Sequence, residues 1–228
     1  MNFLELVQRL HSDVGETGTA PSTVTGQTGM AASLVNWIKK AYEDVQEVHE
    51  SWLFRRDDFD FPTIATQPTY TPAAVSIDDL ANWVYDPDQN ALSGITCYSA
   101  VTDEQHLVYM PWDDFKRAYY FGAHRSVSHR PTVFTIKPDM SIQLWAIPDA
   151  VYTITGEYIK QPVAFVNNAD TPVFTQQHMI IVFKAMMYYG HYQGAPEIYA
   201  FGQDEYKKAL SKLEFNQLPR MQFGSSLV

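Results

Sequence analysis

Apolar residues recur at three- and four-residue steps near both ends of the chain and at two-residue steps through its middle. The pattern therefore predicts helices on either side of a β-rich region. Phe3, Leu6, Val7 and Leu10 form one stripe, which predicts a short amphipathic helix over residues 2–11. Residues 31–50 carry the clearest helical period. Ala31, Leu34, Val35, Ile38, Ala41, Tyr42, Val45 and Val48 share one face, and Lys39, Lys40, Glu43, Asp44, Glu47 and Glu50 fill the other. Such a helix is expected to pack on one side only. Lys39–Glu43 and Lys40–Asp44 would then be surface pairs worth about 0.2–0.5 kcal/mol each, less in this reversed order. Between the two helices, residues 15–29 are rich in Gly and Thr and lack an apolar period, a length that marks a functional or mobile loop.

From Ser51 the period changes to two. Residues 52–64 alternate imperfectly, and Pro62, Pro68 and Pro72 divide the following stretch into short extended pieces. Residues 78–84 read as a helical turn. Residues 95–100 and 106–110 predict two strands joined through Thr102, Asp103 and Glu104. Residues 112–121 predict a short helix whose Asp113 and Asp114 suit its N-terminal dipole. Residues 132–137 and 141–147 flank the turn pair Pro138 and Asp139, and residues 151–160 complete the β-rich region.

Thr175 is then a candidate N-cap for a helix over residues 176–189 that is apolar nearly all round, through Met179, Ile180, Ile181, Val182, Phe183, Met186 and Met187. A helix without a polar face is buried by its own domain or by neighbours. Gly190 and Gly194 permit a turn, and Pro196 suits the start of the next helix. That helix has Tyr199, Tyr206, Leu210 and Leu213 as its stripe and Lys207, Lys208 and Lys212 near its end. The economical architecture is α+β. Residues 1–50 and 166–218 form one discontinuous helical bundle, residues 51–165 a β-rich insertion, and residues 219–228 an extended C-terminal tail.

At 228 residues the chain can bury one large core, or a core with an insertion. Charged residues reach only 18%, below the roughly 25% of typical domains, whereas aromatics reach 14%. An aromatic excess suits protein–protein surfaces and sugar-binding clefts alike. The net charge of −10 argues against binding by phosphate neutralisation, while leaving room for DNA to slide past a repelling wall. The single cysteine, Cys97, makes no internal disulfide, in keeping with synthesis in a reducing cytoplasm. No signal peptide or membrane span is expected, since residues 1–10 lack a basic lead and no apolar run nears 18 residues.

The candidates for chemistry are sparse. Residues 25–29 (TGQTG) superficially resemble a phosphate loop, but the Lys that must follow is missing, and the first lysine is Lys39. Acidic neighbours at Asp57 and Asp58, Asp78 and Asp79, and Asp113 and Asp114 do not make a dyad in a strand, where adjacent side chains point to opposite faces. Glu157, near Trp145 and Tyr158, is the best single acid. His124, His129, His178 and His191 lack metal-ligand spacing, and Cys97 has no local base to activate it. No GxSxG or HExxH motif occurs, so no catalytic residue, cofactor or metal is expected. The sequence has one basic and aromatic cluster: Arg117, His124, Arg125, His129 and Arg130 among Tyr119, Tyr120 and Phe121. Arg117, Arg125 and Arg130 are its candidate contacts to DNA or an acidic partner.

Several phrases, taken in order, resemble phage head-to-tail adaptor (connector) proteins. They are the opening helix from Phe3 to Leu10, the loop from Thr25 to Gly29, and the helix ending near Trp52, Leu53 and Phe54. The run from Met110 to Phe115, that from Leu144 to Asp149, Tyr152 to Ile154, Gly156 to Tyr158 and the terminal helical pair complete the set. The resemblance implies a non-enzymatic virion protein at the portal–tail junction, made in the host cytoplasm. It further implies a ring of about twelve copies, bound to the portal protein and to a downstream tail or nozzle protein, that continues the DNA channel without a membrane. Met221, Phe223, Leu227 and Val228 of the tail, with Phe215 and Leu218 before it, are the expected partner interface. The alternative is a tail-associated carbohydrate-binding or glycan-cleaving protein, drawing on the aromatics and acids of the β-rich region.

Overall fold

The fold is mixed α/β, with five α-helices and two β-sheets among residues 1–85 and 94–219, which this computed structural model describes. In chain order the first elements are α1 (Phe3–Asp13), α2 (Gly29–Glu47), β1 (Arg56–Pro62), β2 (Thr69–Tyr70), β3 (Leu80–Val84), β4 (Thr96–Tyr98) and β5 (Gln105–His106). Then come β6 (Val108–Tyr109), α3 (Trp112–Tyr119), β7 (Val133–Ile136), β8 (Ile142–Trp145), β9 (Thr153–Lys160), α4 (Met179–Gln193) and α5 (Pro196–Gln217). Two units result. One joins Met1–Arg55 with the chain from Pro162 onward, and the other is Arg56–Gln161.

In the helical unit, α1 begins with a reciprocal cap. The Asn2 side chain accepts from the Glu5 amide at 2.8 Å, and the Glu5 carboxylate accepts from the Asn2 amide at 2.9 Å. Phe3, Leu6, Val7 and Leu10 are buried, as the stripe predicts. The segment leading into α4 locks α1 and α2 together. Its Phe165 ring stacks on both Phe3 (4.8 Å) and Tyr42 (4.0 Å), and Val163 exchanges two 2.9 Å hydrogen bonds with the buried Gln46 amide. The loop over 15–29 is pinned as well. Pro21 and Val24 are buried, and Asn168 Oδ1 accepts from the Val24 amide at 2.8 Å.

The apolar circumference of α4 is used inside this unit, with α1 and α2 against it and α5 packed along it. Small residues permit that close approach. A Cβ on Gly190 would fall 2.7 Å from Tyr199 N, and one on Gly202 would fall 3.0 Å from Phe183 O. Four expectations are corrected here. Helix α4 starts at Met179, not at a Thr175 cap, because Gln177 takes a left-handed backbone (φ 62°) that no α-helix continues through. Helix α2 ends at Glu47, and Val48 is exposed. It also packs on more than one side. Lys39 and Lys40 place their ammonium groups over the Phe3 and Tyr188 rings, and Asp44 meets Lys184 (3.6 Å) and the Tyr188 hydroxyl rather than Lys40. In α5 the buried residues are Gly202, Ala209 and Leu213, while Tyr199 is exposed.

The second unit holds both sheets around one apolar cluster. Phe59, Phe61, Trp83, Ile154 and Tyr158 come from one sheet, and Tyr70, Phe134, Ile142 and Leu144 from the other. Strand β9 organises the first sheet. Antiparallel β1 runs along one edge of it from Arg56↔Ile159 to Pro62↔Thr153, while β3 and then β4 occupy the other edge. Residues 80–84 are thus a strand, not a helical turn, because β9 supplies backbone partners about eighty residues away, beyond the reach of local pattern. The 95–110 region forms the expected hairpin only in part. Gln105–His106 pairs with β4, whereas Val108–Tyr109 crosses to lie parallel to β7 in the second sheet. The β7–β8 hairpin closes at Ile136↔Ile142, around the predicted Pro138 and Asp139. Strand β1 is an outer strand. Its Asp57, Asp58 and Asp60 are exposed, Pro62 ends it, and the Asp58 amide donates to Asp57 Oδ1.

Candidate partner interface

The basic and aromatic cluster converges on one feature of the second unit. Helix α3 stands on β7 and turns through residues 122–126 back toward β8. Buried Phe115 anchors it. Trp145, at the end of β8, stacks on Tyr119 at 4.0 Å and meets His129 edge-on, and its indole N–H donates to the His124 carbonyl at 3.0 Å. Beside this stack lies a cavity of about 440 Å³ lined by Phe115, Tyr119, Tyr120, Arg125, Gln143 and Trp145, among others. Gln143 is nearly buried. Its Oε1 accepts from Thr69 Oγ1 at 2.6 Å and from the Tyr120 hydroxyl at 3.4 Å.

The three arginines have different fates. Arg130 is turned inward. Its guanidinium donates to the Cys97 and Asp103 carbonyls and pairs with the Asp103 carboxylate at 3.3 Å, so it acts as a strut between loops of its own unit. Arg117 is 78% exposed and pairs with Asp114 at 3.2 Å. Arg125 is exposed, and its Nε and Nη2 both donate to the Tyr120 carbonyl, which holds the guanidinium at the cavity's lip.

The candidates for chemistry do not assemble. Glu157 pairs across the sheet with Arg56 at 3.3 Å, in register with Asp58. Cys97 is buried, and burial pushes its thiol pKa up against the opposing hydrogen bond from Arg130. Among the described residues no group of three or more His, Cys, Asp or Glu is placed to hold a metal ion, and no helix is long and apolar enough to cross a membrane. In the helical unit the conspicuous surface is the outside of α5, where Phe201 is 54% and Phe215 80% exposed, with Leu218 half-buried just beyond. The sequence stripe missed Phe201 because its helical phase lies off the core face. Met221, Phe223, Leu227 and Val228 lie outside the described residues.

These features are an aromatic cavity with an arginine at its lip and exposed phenylalanines along α5, surfaces that suit contact with other molecules. The chain belongs to the SU10 adaptor protein family, whose model matches residues 1–226. This is a phage head-to-tail adaptor family, which implies a structural role in the virion neck and association with portal and tail proteins. No curated protein matches the chain.

Proposed function

We propose that the chain is a ring-forming head-to-tail adaptor that joins the portal to the tail and continues the DNA channel, in about twelve copies. The whole-length family match carries this reading. In it, the helices from both chain ends make the scaffold, the β-rich residues 51–165 are an insertion upon it, and residues 219–228 grip the portal. An extended tail covers a long surface with little mass, at the cost of ordering it on docking. Phe215 and Leu218 at the end of α5 begin that contact surface; separately, in the other unit, Arg117 and Arg125 are candidate contacts to DNA or an acidic patch. The net charge of −10 keeps the passing polyanion from sticking. The protein acts without catalysis, cofactor or membrane. The alternative, glycan binding, would have to use the cavity-facing side of Trp145, whose other face is stacked on Tyr119.

The test is native mass spectrometry and negative-stain microscopy of the chain mixed with its cognate portal ring. Ring-on-ring assembly is expected, with loss of portal binding but retention of the folded monomer on deletion of residues 219–228. A chain that ignores the portal overturns the reading. Unchanged binding after the deletion overturns the tail's role alone.

A further inference from the structure

We propose that the aromatic cavity beside α3 and β8 is a docking site for an acidic peptide segment of another protein. A large apolar side chain would fill the cavity, and a neighbouring carboxylate would pair with Arg125. The proposal rests on the reading that this chain works by binding other proteins. Its volume of about 440 Å³ falls in the range of about 300–1,000 Å³ typical of ligand cavities. Its walls are Phe115, Tyr119, Tyr120 and Trp145, and buried aromatic surface of this kind supplies most of the energy at interface anchor points.

The charge at the lip selects the occupant. Arg125 is held by two hydrogen bonds from Nε and Nη2 to one neutral carbonyl, so its position is fixed while its charge is not neutralised. No carboxylate among the described residues lies within ion-pair distance of it, unlike Lys116, Arg117 and Arg130 nearby, which each have an Asp. The fork's outer N–H groups stay available for a carboxylate. Deeper in, Gln143 Oε1 already accepts two hydroxyls, so the cavity has few acceptors left for a cationic guest. A saccharide favours a broad open ring face, and the stack of Trp145 on Tyr119 takes up one face of each ring. Nucleic acid would need several unpaired cations, and among the described residues Arg125 is the one arginine or lysine lining this cavity, in a chain of net charge −10.

The experiment uses the full chain with the Trp indoles labelled for NMR, the Trp145 N–H being assigned by its loss in Trp145→Phe. The probes are synthetic peptides with one Phe or Trp flanked by Asp and Glu, their Asn and Gln analogues, a single-stranded oligonucleotide and a neutral oligosaccharide. The expected result is a saturable shift of the Trp145 resonance with the acidic peptides. Binding should weaken about tenfold in the amide analogues and in Arg125→Gln, the loss of one charge-assisted hydrogen-bonded pair. Acidic and amide peptides that bind equally, Arg125→Gln that binds as wild type, or a Trp145 shift with the oligonucleotide or sugar instead would each overturn the proposal. Capture by the portal with no peptide binding sinks the cavity site alone, whereas peptide binding without capture leaves the site and sinks the adaptor reading.

Discussion

Gly190 is the position where the packing of the helical unit can be tested most sharply, because two effects of one substitution have opposite signs. Replacing Gly by Ala inside a helix ordinarily stabilises by about 1 kcal/mol through backbone entropy. At this site a Cβ would lie 2.7 Å from Tyr199 N, 2.9 Å from Tyr199 Cβ and 3.0 Å from Ala195 O. Two of these three neighbours are backbone atoms, which cannot swing aside as a side-chain tip would. They belong to the turn in which the Ala195 amide donates to the Gly190 carbonyl at 2.9 Å and the Tyr199 amide donates to Ala195 O at 3.1 Å. The start of α5 must therefore move. Overpacking of this kind costs about 1–3 kcal/mol, and the rigid neighbours place it toward the upper end. Set against the propensity gain, Gly190→Ala should lose about 1–2 kcal/mol overall. The assay is urea unfolding followed by far-ultraviolet circular dichroism, which reports the helices. Gly202→Ala serves as a milder comparison, since its nearest contacts are 3.0 and 3.1 Å. An unchanged or raised midpoint for Gly190→Ala would refute the claim that α4 and the start of α5 approach backbone to backbone here.

Two further predictions concern the loops of the β-rich unit. The Ser99 hydroxyl, followed by the Ala100 and Ser99 amides and the Arg130 charge, holds the Asp103 carboxyl down to about 2 from its ordinary 3.8. A folded pKa below the unfolded one gives stability that is present above 3.8 and lost as pH falls through about 2. Asp103→Asn should therefore flatten the acid limb of the urea midpoint over that window, and an unaltered limb would count against it. Arg130→Met should cost about 2–3 kcal/mol by leaving the Cys97 and Asp103 carbonyls without their donor, while exposed Arg117→Ala should stay within about 0.5 kcal/mol. Equal effects of the two in thermal unfolding would contradict the division between strut and surface.

Helix α1 was legible from its four apolar positions, a local signal, although its Asn2 and Glu5 cap was not read. The β7–β8 hairpin was legible for the same reason, with its turn residues between two short apolar runs. The misses share a cause in contacts that sequence does not order. Residues 80–84 became a strand only because β9 offered an edge, and Val48 is exposed because α2 ends one residue before it, at Glu47. The all-round apolar character of α4 suited burial between copies as well as burial at home, and only the packing of α1, α2 and α5 decides for the latter. At the candidate site the residue types were visible as a cluster. Their sorting was not, since whether Arg125 or Arg130 finds a carboxylate depends on where the loop carrying Asp103 lies.

The acid-studded margin of β1 bears on how such a protein behaves when crowded. In the ring proposed above, identical molecules would stand shoulder to shoulder, the condition in which bare strand margins zip into one another and precipitate. Asp57 is paired with Lys160 at 3.0 Å, but Asp58, Asp60 and the terminal proline would still set two such margins at odds, leaving self-association to other faces.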